Sequence, residues 1–136
     1  MPLFMETLLI DDNSTSVFLT ERLLKRESFS DNIRSFLSAQ DALGYLEERL
    51  PVYAPEVIFL DLNMPVMDGW EFLEALQPYE SDLTDRCRIY ILTSSLAPSD
   101  AAKAKEYTLV SGLMHKPVDT HMLRTIRAEL SEQNQH

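Results

Sequence analysis

Asp11 and Asp12 follow the apolar run TLLI, and far along the chain a third acid, Asp61, closes the run VIFL before the loop LNMPVMDG begins. Two other polar groups end later apolar runs, Thr93 after RIYIL and Lys116 after SGLMH. Carboxylates that meet in one place repel, so a cluster of them needs a neutralising partner. Mg²⁺ suits that need, because it takes one or two carboxylates together with waters and phosphate oxygens. Asp11, Asp12 and Asp61 would supply the acids, and the backbone carbonyl of Asn63 a further oxygen. A carboxylate beside such an ion can attack a phosphoryl group and become an aspartyl phosphate, which assigns the nucleophile's role to Asp61. Lys116 would offer a compact cation, and Thr93 a hydroxyl donor, to the transferring oxygens. Lys116 precedes Pro117, so that peptide bond can be cis at small cost.

These groups are far apart in sequence, and the elements between them must bring them together. Short β-rich apolar runs alternate with segments of helical period, the pattern of a parallel sheet with helices on both faces. Strands are expected at 7–11, 33–37, 57–61, 88–93 and 111–116. The first helix is expected in SVFLTERLLKRE, with Val17, Leu19, Leu23 and Leu24 on one broad apolar stripe and Phe18 off it. The second, AQDALGYLEERL, puts Leu43, Leu46 and Leu50 on one face, with Ser38 as its cap. The third follows Gly69 with Phe72, Leu73 and Leu76, and the fourth opens on Pro98. The last carries Met122, Ile126 and Leu130 after a cap at Asp119 or Thr120. Ligands of an open parallel sheet sit beyond the carboxyl ends of its strands, where the strand order reverses. Asp11, Asp12, Asp61, Thr93 and Lys116 are therefore expected on one edge.

A chain of 136 residues fits one domain. Residues 1–6 are read as a disordered start, 7–131 as the domain and 132–136 as a polar tail. Twelve basic residues against 22 acidic ones give a formal charge of −10, which would repel a nucleic-acid backbone. Cys87 is the only cysteine, so internal disulfides and thiolate clusters are excluded and the count suits a reducing, cytoplasmic setting. No run approaches the roughly 18 apolar residues of a membrane span.

LLIDDNST, VIFLDLNMPVMDG, ILTSS and MHKP, in this order and spacing, resemble the receiver domain of two-component response regulators, and the resemblance covers essentially the whole chain. It implies a doubly wound α/β fold, flavodoxin-like, with five parallel strands in the order 2-1-3-4-5 and five helices. It also implies that Asp61 takes a phosphoryl group from a phosphohistidine on a sensor histidine kinase or a histidine phosphotransfer protein. In that reading Asp12, Asp61 and the Asn63 carbonyl hold Mg²⁺, Asp11 acts through water, and Thr93 and Lys116 bind the phosphoryl oxygens. Asn63 and Ser95 stand where family members control access of water, so weak self-dephosphorylation is implied. With no output domain in these residues, the expectation is a single-domain phosphoacceptor that signals by contact with a downstream protein and leaves homodimer formation open. One departure stands out: receivers often carry Tyr or Phe three residues before the lysine, where this chain has Leu113.

Two other functions compete. LLIDDNST also resembles the first motif of haloacid dehalogenase phosphatases, with Asp11 and Asn13 in the key places, but the second acid there is normally Asp and only Asp119 follows the lysine. A receiver-like binding module without phosphorylation is the other, favoured by Leu113 and opposed by the complete polar set. Gly44, Gly69 and Gly112 make no glycine-rich phosphate loop, which argues against a nucleotide site. Taken singly, the features have plainer readings: IDDNST as a helix cap, NMPVMDG as a turn, Lys116 as a surface lysine. His115 and His121 are read as solvated, Met64 and Met67 as packing or loop residues, and Trp70 as a cover over the core or a partner contact.

Overall fold

The computed structural model describes residues 6–95 and 97–134, with side chains through residue 130. Five parallel strands form one sheet in the order β2-β1-β3-β4-β5: β1 Thr7–Ile10, β2 Ile33–Phe36, β3 Val57–Asp61, β4 Arg88–Thr93 and β5 Val110–His115. The helices between them are α1 Ser14–Arg26, α2 Ala39–Arg49, α3 Gly69–Leu76, α4 Pro98–Ala104 and α5 Thr120–Asn134. A 3-10 turn at Gln77–Tyr79 and a helical turn at Glu80–Leu83 prolong α3. The strand order is the flavodoxin-like one, and no described helix is long and apolar enough to cross a membrane.

The central strands β1 and β3 are buried at every position, so they read as unbroken apolar runs instead of alternating ones. Alternate residues still go to opposite faces. Leu8, Ile10, Ile58, Leu60, Ile89 and Ile91 join the layer under α2, α3 and α4. Leu9, Val57, Phe59, Tyr90 and Leu92 join the layer under α1 and α5, with Val17, Leu24 and Ile126. Leu19 departs from the expected stripe on α1, being 60% exposed. A residue two positions after Val17 is rotated by about 200° at 3.6 residues per turn, onto the opposite side of the helix. Phe18 is exposed as expected.

Capping follows local chemistry. Asn13 caps α1 by accepting from the Ser16 amide at 3.0 Å, and Ser38 caps α2 by accepting from Asp41. At α5 the cap is Asp119, which accepts from the Met122 amide at 2.9 Å. Residues 1–5 of the expected disordered start lie outside the described residues. Glu6 does not belong to such a start: it is buried, and its carboxylate accepts from Tyr45 Oη at 2.6 Å and Asn32 Nδ2 at 3.2 Å. Helix α5 runs to Asn134, into the stretch read as a polar tail, and 135–136 lie outside the described residues.

The loop from β3 to α3 sets the position of Asp61. The Met67 amide donates to the Pro65 carbonyl at 2.8 Å across Val66, whose φ is 68°. That is a γ-turn of the rare positive-φ kind, held by an exposed β-branched residue. The Gly69 amide closes the loop by donating to the Leu62 carbonyl at 3.0 Å. A Cβ on Gly69 would stand 2.8 Å from the Asp61 carbonyl oxygen and 3.0 Å from Leu62 Cα, so only glycine lets α3 start against the end of β3. Asp68 and Glu71 complete a reciprocal capping box at that start.

Opposite shifts are expected at these two positions in thermal or denaturant unfolding. Val66→Gly relieves strain and should stabilise by about 1 kcal/mol. Gly69→Ala forces backbone apart and should destabilise by about 1–3 kcal/mol. A Gly69→Ala midpoint equal to the parent's would show the approach to be slack.

Candidate functional site

The site sits on the carboxyl ends of the central strands, where the order reverses between β1 and β3. β1 ends at Ile10, so Asp11 and Asp12 are the first residues beyond it, and Asp61 is the last residue of β3. Asp11 and Asp61 are each 6% exposed, while Asp12 faces solvent. One carboxylate oxygen from each of the three lies within 4.8 Å of the others. Among the described residues this is the one such group of potential metal ligands, and the exposed His115 and His121 take no part in it.

Lys116 reaches the cluster because of the register at the other end of the sheet. A bulge at Ser111, between the pairs Ile89–Val110 and Tyr90–Gly112, sets His115 beside Thr93 and leaves Lys116 as the first residue past β5. The Lys116 amide donates to the Thr93 carbonyl at 2.8 Å, and the Lys116–Pro117 peptide is cis. The Lys116 Nζ donates to Asp11 Oδ2 at 2.6 Å and stands 3.5 Å from Asp61 Oδ1. Asp11 Oδ1 accepts from the Asn13 amide at 2.9 Å. Both oxygens of Asp11 are thus engaged.

Burial pushes the Asp61 carboxyl up to about 6, and the Asp11 charge adds to the shift, while Lys116 opposes it. Burial acts to lower the Lys116 ammonium, yet its hydrogen bond to Asp11 and the charges of Asp11 and Asp61 more than offset this and hold it above the usual lysine range. Three carboxylates against one ammonium leave an excess of negative charge in a part-buried cleft. A hard divalent cation fits that donor set, since it needs oxygen ligands and brings the missing charge.

Thr93 is buried, and its hydroxyl donates to the Ser95 carbonyl at 2.9 Å and accepts from the Ser95 amide at 3.1 Å. It therefore lies on the same edge as Asp61 but is turned to its own loop. Asn63 is exposed in the loop directly after Asp61. Met64 is buried and Met67 half-buried against the core, which accounts for both as packing. The thiol of Cys87 is buried and pushed up to about 12, which leaves it inert.

Two features were not read from the sequence. Gly69 is required by the contact with Asp61 described above, and the adjoining Asp-Gly at a helix start was its visible signal. Tyr107 stacks on Trp70 with ring centroids 5.6 Å apart, a pairing between distant segments that has no local signature.

The response regulator receiver domain model matches residues 7–127. A Methanothrix harundinacea protein described as a probable methanogenesis regulatory protein, FilR2, is 28% identical over 127 residues, covering 92% of this chain and 80% of that protein. A two-component response regulator from Cytophaga hutchinsonii superposes with a TM-score of 0.86 at 27% identity, covering 96% of this chain and 99% of that one. A response regulator receiver protein from Dyadobacter fermentans gives 0.83 at 28% identity, over 93% and 98%. The family match runs from the first strand into the last helix and takes in every strand end that carries the site. On that ground the chain belongs to the response regulator receiver domains of two-component systems.

Proposed function

We propose that this receiver accepts a phosphoryl group on Asp61, in a Mg²⁺-dependent reaction, from the phosphohistidine of a sensor histidine kinase or histidine phosphotransfer protein. It then signals through contact with another protein. The observation that carries this reading is the division of labour among the acids. Lys116 and the Asn13 amide engage both oxygens of Asp11, whereas the nearest cation to Asp61 stands 3.5 Å away, and burial keeps that carboxylate poorly solvated. A poorly solvated, loosely tied carboxylate is the better nucleophile.

In the transfer, an Asp61 oxygen forms a bond to phosphorus as the bond from phosphorus to the donor imidazole breaks, and the electron pair returns to that nitrogen. Asp12, Asp61 and the Asn63 carbonyl would hold Mg²⁺ with Asp11 acting through water, and the ion would neutralise charge spreading over the phosphoryl oxygens. Lys116 is within reach of Asp61 and can turn from Asp11 to a phosphoryl oxygen. Thr93 can donate to another only by releasing the Ser95 carbonyl, so the loop after β4 must respond to the modification. Asn63 and Ser95, both exposed, would govern the access of water and hence the slow hydrolytic loss of the group.

Incubation with acetyl phosphate and Mg²⁺, read by intact mass, should add one phosphoryl group. Asp61→Asn and excess chelator should each abolish uptake, and Lys116→Ala should slow it by about a hundredfold. Uptake unchanged in Asp61→Asn would overturn the assignment.

The metal-free protein should also show the charge on Asp61 in its stability. The folded carboxyl, at about 6 against an ordinary 3.8, holds its proton more tightly than the unfolded one. The folded state therefore binds more protons between those values, and stability falls as pH rises through that window. Asp61→Asn removes the penalty, so in chelator it should exceed the parent's stability above pH ~6 by up to about 3 kcal/mol and lose that advantage below pH ~4. Unfolding curves at several pH values test this. An advantage independent of pH would point to packing instead of charge.

A further inference from the structure

The geometry points to the Trp70–Tyr107–Lys103 stack as the device that carries the state of Asp61 to helix α4. Leu113, on β5 beside Ile91, is a half-buried aliphatic side chain packed against the core, with no polar group to exchange partners. A different connection is built into α3. Gly69 abuts the Asp61 carbonyl too closely for any Cβ and is hydrogen-bonded to Leu62, so the start of α3 must follow a displacement of the Asp61 backbone. Trp70 is the next residue.

Its ring lies nearly parallel to Tyr107, with centroids 5.6 Å apart and planes 24° apart. The Lys103 ammonium, from the last turn of α4, stands 4.9 Å from the centre of the same ring, a cation–π contact. One turn further along α3, Glu74 Oε1 accepts from Tyr107 Oη at 2.7 Å. Three contacts thus join one face of α3 to α4 and the turn after it. Upstream, the loop between Asp61 and Gly69 holds Val66 at positive φ, and strain of that kind lowers the cost of leaving the conformation. Loop, helix start and stack form one unbroken chain of contacts from the acid to α4, side chain to backbone to side chain.

The inference rests on phosphorylation of Asp61, and its test separates the two. The full chain is incubated with acetyl phosphate and Mg²⁺, and one sample is read by intact mass and by amide hydrogen exchange over residues 98–107. Trp70 is the only tryptophan, so its emission reports the stack directly. The parent should gain one phosphoryl group, shift its tryptophan emission and change exchange over α4, with none of these in Asp61→Asn. Trp70→Leu should gain the group but lose most of the exchange response, and Trp70→Phe, which can still stack, should restore it. Lys103→Met, an exposed change that leaves the core intact, should shrink the response by about two- to thirtyfold in the exchange ratio. It supplies the answer if Trp70→Leu fails to fold. No phosphoryl gain by the parent would overturn the proposed function and this inference together. Normal gain with an undiminished exchange response in Trp70→Leu or in Lys103→Met would overturn the stack's role alone.

Discussion

Mutual repulsion among Asp11, Asp12 and Asp61, held in check by Lys116, is the constraint on which the rest of the structure turns. Acids gathered this closely at the end of a buried sheet oppose folding unless the scaffold around them is stiff enough to impose the arrangement. The stiffness comes from β1 and β3, which pair in register along their length and are covered on both faces. Lys116 lies close to both buried acids but binds Asp11 far more tightly than Asp61. That asymmetry relieves part of the repulsion and leaves Asp61 the less satisfied of the two.

The scaffold answers the same constraint from below and from the side. Leu60 and Ile10 bury next to the acids and fix the backbone of the two strand ends from which Asp61 and Asp11 project. Gly69 brings α3 against the Asp61 carbonyl, and the capping box at Asp68 satisfies the first amides of that helix. The loop between them is left with the strain, at Val66. One carboxylate thus stands between a fully buried sheet and a loop that carries positive-φ strain.

Most of the architecture was legible from local patterns. Strand runs, helix caps at Ser38 and Asp119 and the placing of acids at strand ends all depend on neighbours in sequence, and each was found within a residue or two of its expected place. Leu19 does not share the buried stripe, because it stands about 200° around α1 from Val17, and the face of Val17 and Leu24 is the one that lies on the sheet. Glu6 was read as disordered because a carboxylate beside an unpatterned start gives no local sign of burial. Its partners, Tyr45 and Asn32, come from other elements.

Side-chain period and capping chemistry act over a few residues, so the alternation of elements, the buried character of the central strands and the polar groups at their ends can be read along the chain. Assembly of the sheet and its helices is what makes Lys116 bind Asp11 more closely than Asp61, turns Thr93 to Ser95, denies Gly69 a side chain and brings Trp70 to Tyr107. Distances and orientations between such groups depend on strand order, register and the bulge at Ser111 acting together, and no local stretch of sequence encodes all of them.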